Sequence, residues 1–333
     1  MREKTLIYLG RHTSIGYLSP LEWKKIPYLK DNDGCLPPLI IAVGDSRRVT
    51  KAHSALQLKN ILVLHEESER LLGLTGKGRV DLIIGEFTHK KRSVPLLLVE
   101  TQMGMPATDI ILREVLSHCH VQYNFGRSKI KTDAINIVRV GTAGGINSRR
   151  KGSKKLSIGD IVNAEFSLGW AGAILQSMAG LDYSSKNIYR IFKKKWLESG
   201  NSFTKDGRFP LMENSKELVD SISSALKELG CPSHRGGNFS KDSLYAEIDT
   251  DSFLELRDKY NVLSTEMEQM VLGKLAGDFR KAGLKLNTGL VSGIIGVLPD
   301  ESFSDKDEHR ALIEKVEENS LMAAAIALWR IAK

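Results

Sequence analysis

The apolar positions of this chain fall into short runs that stop at glycine. Leu39-Ile40-Ile41-Ala42-Val43 ends at Gly44, and its length and branched side chains predict a buried strand entering a turn. Residues 60–64, 82–87, 94–99, 134–140, 158–164 and 286–297 predict further strands on the same grounds. The run at 94–99 leads to Met103-Gly104-Met105-Pro106, and the run at 134–140 meets Gly141-Thr142-Ala143-Gly144-Gly145, read as a glycine turn. Helical spacing predicts helices over 109–117, 215–229 and 308–331, the second closed by Gly230. Strands alternating with helices indicate an α/β fold with a largely parallel or mixed sheet. In such sheets ligands gather beyond the carboxyl ends of strands, where these glycines lie.

Residues 1–37 have weak periodicity and predict an arm that packs on the body or on a partner subunit. Residues 38–333 read as one domain. Inside it, residues 184–214 are polar and lysine-rich, and predict an irregular insertion at the surface.

Composition narrows the class. At 333 residues and 41% hydrophobic, the chain can build a substantial core without staples. Cys35, Cys119 and Cys231 are dispersed and odd in number, which fits a reducing compartment. The first apolar run is too short for a signal peptide and none reaches the length of a membrane span, so a cytoplasmic protein with no membrane partner is expected. The net charge of +8 sits in short separated clusters without interleaved aromatics, so no nucleic-acid partner is expected. The eight histidines show no ligand spacing, and no metal is expected.

Three stretches carry candidate chemistry. In Ser264-Thr265-Glu266-Met267-Glu268, Thr265 and Glu268 have the spacing of a capping box that opens a helix. The same stretch also suits a sugar site: a carboxylate accepts hydrogen bonds from a vicinal diol, and a methionine packs on the ring. Gly44-Asp45-Ser46-Arg47-Arg48 allows close backbone approach and adds a guanidinium suited to phosphate, or is a plain turn at a helix start. Arg139, at the end of an apolar strand, needs a partner because an unpaired buried charge is costly. That partner is either an anion shared with Thr142 and the following glycine amides or a structural carboxylate. Gly144-Gly145 lacks the spacing of a dinucleotide fingerprint. Two arginine-bearing turns and a diol acceptor suggest phosphate and ribose side by side, hence attack by phosphate at an anomeric carbon through an oxocarbenium-like transition state.

In order, Gly44-Asp45-x-x-Arg48, Met103-Gly104-x-Pro106, Arg139 to Gly144, Gly159-Asp160-Ile161-Val162, Asp242-Ser243-Leu244-Tyr245 and Glu266-Met267-Glu268 make a specific set. With these motifs the chain resembles, over about residues 39–332, the nucleoside phosphorylase family of uridine phosphorylases, hexameric-type purine nucleoside phosphorylases and methylthioadenosine nucleosidases. The resemblance implies a three-layer α/β/α fold whose central mixed sheet is partly closed into a barrel. It implies a homo-oligomer, a dimer or a hexamer of dimers, with shared sites. It implies phosphate binding by Gly44, Arg48, Arg139 and Thr142, with a further arginine from the partner subunit for which Arg79 and Arg70 are the candidates. It implies ribose binding by Met103, Gly104, Glu266, Met267, Glu268 and Tyr8, with His12 a nearby substitute for Tyr8. Ala143, Gly144, Leu244, Tyr245 and Gly293 match the base site. The expected catalytic pair is Arg139 and Glu268, and no cofactor is implied beyond inorganic phosphate as co-substrate.

Two departures bear on the base. Gly293 stands where purine-specific members have an aspartate that protonates the leaving base, and Asp300 and Glu301 would replace it only if their loop turned inward. After Tyr245 the chain has Ala246-Glu247-Ile248-Asp249, without the glutamine and arginine that read uracil. The expected activity is phosphorolysis of a nucleoside with a pyrimidine-type or atypical base. The alternatives are a nucleosidase that uses water and a non-catalytic nucleoside-binding protein.

Overall fold

Strand β1 (Leu39–Val43) is buried along its whole length because all five of its side chains are apolar and helices cover both of its faces. In the computed structural model, residues 13, 20–64, 66, 80, 82–124, 127–130, 134–169, 172, 188–242, 250–299 and 307–332 are described. Two short helices come first, α1 (Pro20–Trp23) and α2 (Pro27–Asp31), then β1 and α3 (Ser46–Ala55). A meander follows: β2 (Lys59–Val63), β3 (Leu82–His89) and β4 (Arg92–Glu100). Helix α4 (Met105–His120) leads to a separate hairpin, β5 (Val121–Asn124) and β6 (Arg127–Ile130). The second half holds β7 (Ala134–Ile146), β8 (Ile161–Leu168), α5 (Ile188–Glu198), β9 (Ser202–Phe203), β10 (Pro210–Glu213) and α6 (Lys216–Glu228). It ends with β11 (Ser233–Ser240), α7 (Thr250–Tyr260), β12 (Val262–Glu266), α8 (Gln269–Lys281), β13 (Lys285–Leu298) and α9 (Asp307–Ile331).

The strands form one mixed sheet, in the order β2-β3-β4-β1-β7-β12-β11-β8-β10-β9. Strand β13 pairs with both β7 and β8, so β7, β12, β11, β8 and β13 close into a five-membered ring. The expected three-layer α/β/α fold with a partly barrel-like sheet is therefore present. Alternation along the strands divides the core. Ile40, Ala42, Leu97, Val99, Ile135 and Ile137 face α4, α5 and α8. Leu39, Ile41, Val43, Leu96, Leu98, Val138 and Val140 face α3, α6 and α9.

Three expectations are corrected. Gly141 to Gly145 is no turn: β7 runs through it to Ile146, paired with β12 and β13. Its glycines answer crowding, since a Cβ at Gly145 would lie 2.9 Å from the Ile294 side chain. The capping box is also absent. Thr265 lies inside β12, opposite Gly144, and the helix that follows takes Glu268 as its N-cap. Finally, from residue 188 the lysine-rich stretch is regular, forming α5, β9 and β10. Phe192 and Trp196 of α5 are buried in the main core, their rings 5.7 Å apart, while Lys194 and Lys195 lie on the exposed face. The i, i+4 spacing of Phe192 and Trp196 is the helical signal that the lysines obscured.

Trp196→Ala tests that correction. The side chain is fully buried and its Nε1 donates to the Ser202 carbonyl at 2.8 Å. The expected loss of stability is about 3–5 kcal/mol by urea unfolding, whereas a surface insertion would lose almost nothing.

Candidate active site

The site gathers at the carboxyl ends of β1, β4 and β12, beside the middle of β7. Arg139 shares a face of β7 with Ile135 and Ile137, and is buried. Its Nη1 donates to Thr101 Oγ1 at 2.9 Å, its Nη2 to Glu268 Oε2 at 2.5 Å, and its Nε lies 3.8 Å from Glu266 Oε2. Thr101 is itself fixed by the Val43 carbonyl, which accepts from its N–H and its hydroxyl.

Glu266 ends β12 and Glu268 caps α8, with the half-buried Met267 at the corner between them. The two carboxylates do different work. Glu266 Oε2 accepts the N–H groups of Glu268 and Gln269, at 2.8 and 2.9 Å, and so fixes the start of α8. Its Oε1 accepts from Asn238 Nδ2 at 2.8 Å and Ser240 Oγ at 2.5 Å. Asn238 is held in turn by Ser167 and Ser264, all of them buried. A register shift of β11 at Gly237/Asn238 brings Asn238 opposite Ser264. Glu268 Oε1 accepts the Gly104 N–H at 2.8 Å, in a loop where Gln102 (φ 58°) and Gly104 (φ 86°) are both left-handed.

Burial, and then the neighbouring Glu268 charge, push the Glu266 carboxyl above its ordinary range, against the pull of Arg139 and its Ser240 and Asn238 donors. Burial acts on Glu268 as well. There it is outweighed by the Arg139 charge and the Gly104 N–H, which hold that carboxyl below the ordinary range.

Arg48 approaches from the other face of the sheet. Asp45 caps α3 by accepting the Arg48 N–H at 3.0 Å, which sets the direction of the arginine. Arg48 Nη2 donates to Thr142 Oγ1 at 3.1 Å. The two guanidinium groups meet over Gly44: a Cβ there would lie 3.5 Å from Arg48 Nη1 and 3.8 Å from Arg139 Nη2. Gly141 plays the same part, with Arg139 Nη2 at 3.9 Å. The hollow left beside Arg48, Val140 and Gly141 measures about 10 Å³, close to the space of one water molecule. A cleft of about 860 Å³ elsewhere is lined by Asn201, Glu213, Lys216, Arg280 and Lys285 and holds none of the expected site residues.

A sequence profile of the phosphorylase superfamily matches residues 38–332. The chain belongs to the phosphorylase superfamily. Its structure is similar to uridine phosphorylase from Vibrio fischeri, with a TM-score of 0.58 at 16% identity over 90% of this chain and 94% of that one. It is similar too to purine nucleoside phosphorylase from Toxoplasma gondii solved in complex with immucillin-H, with a TM-score of 0.56 at 16% identity over 90% of this chain and 94% of that one. A comparison with curated proteins gave no match.

In this phosphorylase the structure brings together Gly44, Arg48, Arg139, Thr142, Gly104, Glu266 and Glu268. Met103 adjoins them with three-quarters of its surface exposed. Ala143 packs in an apolar cluster with Leu156, Val162, Leu263 and Ile294. Gly144 lies against the Thr265 methyl. Gly293 faces α9, where a Cβ would come within 2.8 Å of Val316 Cγ1, so packing excludes an acidic side chain at that point of β13. Tyr8, His12, Arg70, Arg79, Leu244, Tyr245, Asp300 and Glu301 lie outside the described residues. Among the described residues no group of three or more His, Cys, Asp or Glu is placed to hold a metal ion, and no helix is long and apolar enough to cross a membrane.

Thr101, Asn238 and Ser240 escaped the sequence reading. Asn238 and Ser240 sit in Ser-His-Arg-Gly-Gly-Asn-Phe-Ser, which has no apolar alternation to mark a strand. Their nearness to the Asp242 motif was the one available signal.

Arg139→Ala leaves two buried carboxylates without their cation, at an expected cost of about 3–5 kcal/mol near neutral pH. Because Glu268 titrates below its ordinary value, this advantage of the parent protein is complete above the ordinary glutamate pKa of about 4.3. It shrinks as pH falls through the depressed Glu268 range. Urea unfolding of both proteins across pH 3–7 checks the sign.

Proposed function

We propose that this phosphorylase cleaves a nucleoside with inorganic phosphate, releasing the free base and a (deoxy)ribose 1-phosphate. It is thus a pentosyltransferase of nucleoside salvage. The convergence of Arg48 and Arg139 on Gly44 carries this reading. Two guanidinium groups that approach one point from opposite faces of a sheet offer N–H donors to an anion there, and their planar forks suit phosphate. Glu268, reached by Arg139, lies beside that point and supplies the acceptor for the sugar diol. The anion and C1′ are then neighbours, so orientation and electrostatics accomplish most of the catalysis. Arg139 neutralises charge on phosphate and releases part of its hold on Glu268 as the diol arrives.

Gly293 favours a pyrimidine-type or atypical base. General acid help is worth about a hundred- to ten-thousand-fold, and a base that leaves as a stable anion needs it least. The uridine phosphorylase likeness and the packing of Gly293 on Val316 both support this preference. A nucleosidase has no need of two arginines at an anion site. We place the enzyme in the cytoplasm as a homo-oligomer whose subunits share sites, with nucleoside and phosphate as its ligands and no cofactor.

A panel of uridine, thymidine, inosine, adenosine, guanosine and methylthioadenosine, each with and without phosphate, tests the reaction through free base. Phosphate-dependent release from a pyrimidine nucleoside is expected. Release without phosphate would indicate the nucleosidase, and binding without turnover a binding protein. In the folded enzyme Glu268→Gln should lower kcat/KM at least about tenfold, the worth of a charge-assisted hydrogen bond. Unchanged kinetics would remove Glu268 from the sugar site.

A further inference from the structure

Glu317 lies on α9, 269 residues from Arg48, and stands in none of the six motifs. Its Oε1 accepts from Arg48 Nε at 3.1 Å and lies 3.0 Å from Nη2 in an ion pair. That is one edge of the guanidinium plane. The Nη2 group also reaches Thr142 Oγ1 at 3.1 Å, so three contacts fix the plane. Glu317 Oε2 faces Lys51 Nζ at 3.4 Å, which balances its charge. Both members of the pair are largely buried, with 25% of the Arg48 and 17% of the Glu317 side chain exposed.

The opposite edge is the one that matters for a ligand. Among the described residues Arg48 Nη1 has no hydrogen-bond partner, and it points over Gly44, beside Arg139 Nη2. A carboxylate that merely occupied the anion site would take the donors aimed at Gly44. Glu317 takes the others. We propose that Glu317 is a positioning residue for the anion site: it holds Arg48 by its Nε–Nη2 edge and so presents Nη1 to a phosphate oxygen above Gly44. Thr142 shares the task by accepting from Nη2, which leaves its own hydroxyl proton free for the anion. Arginine has much rotamer freedom to lose on binding, and a guanidinium fixed beforehand spares the ligand that cost. The proposal rests on the phosphate reading of the site.

Calorimetric titration with inorganic phosphate tests it on the parent protein, Glu317→Ala, Glu317→Gln and Arg48→Ala. Glu317→Ala should weaken phosphate binding about tenfold. Glu317→Gln keeps an acceptor oxygen without the charge and should fall between. The rise in unfolding midpoint produced by phosphate should shrink in the same order, which a role confined to stability would not cause. Unchanged or tighter binding by folded Glu317→Ala, with Arg48→Ala impaired, would overturn the positioning role and leave the phosphate reading intact. Tighter binding would make Glu317 a blocking carboxylate instead. If Glu317→Ala does not fold, Glu317→Gln decides by the same criterion. Failure of the parent protein itself to bind phosphate would remove both readings.

Discussion

Arg139 is a cation that this fold has no option but to surround. It sits in a sheet whose neighbouring side chains are aliphatic, and a guanidinium in that setting is tolerable only with full partnership. Glu268, Glu266 and Thr101 provide it from three separate elements. The demand spreads outward. Two carboxylates so close repel each other, so Glu266 is surrounded by donors from β11 and from the first turn of α8. Asn238 must then be satisfied, and Ser167 and Ser264 do so. One buried charge therefore accounts for a polar thread through the closed ring of strands, and for the sharp corner where β12 becomes α8.

The ring has a mechanical consequence for the same group. Strand β7 pairs with β1, β12 and β13, so it belongs to the open part of the sheet and to the closed part together. A residue on such a strand cannot shift without disturbing both. That suits the role proposed for Arg139, holding an anion and a sugar acceptor in fixed relation, since electrostatic stabilisation is most effective when its dipoles need not reorganise. Arg48 is held less rigidly by the sheet, being on the first turn of a helix, and takes its orientation from side chains instead.

Much of this was legible in the chain itself, and the exceptions have physical causes. The apolar runs of β1 and β4 mark strands buried on both faces, and α9 shows the length of its helix directly. Strand β11 was invisible because its polar and glycine residues are satisfied by side-chain partners rather than by an apolar layer. Thr265 and Glu268 have the spacing of a helix cap, yet backbone pairing of Thr265 with Gly144 prevails over that local preference. The glycines after Arg139 look like a turn because glycine weakens a strand in isolation. Here they permit three strands to crowd together. At the site, Gly44, Arg48, Arg139, Thr142, Glu266 and Glu268 stood out through motifs. Thr101 and Glu317 are single residues whose meaning depends on what lies opposite them, and a sequence does not display that.

The contacts that assemble the site span nearly the whole chain. Arg139 and Glu268 are 129 residues apart, Gly104 and Glu268 164, and Arg48 and Glu317 269. Pairings so distant form late, because the chain entropy of closing such loops is lost before the contacts return it. A nascent or partly refolded chain that has built its first meander and β1 has Gly44 and Arg48 in place but neither Arg139 nor Glu268. Completion of the proposed anion and sugar sites therefore waits for the last long-range pairings, and no single segment of the chain carries either one alone.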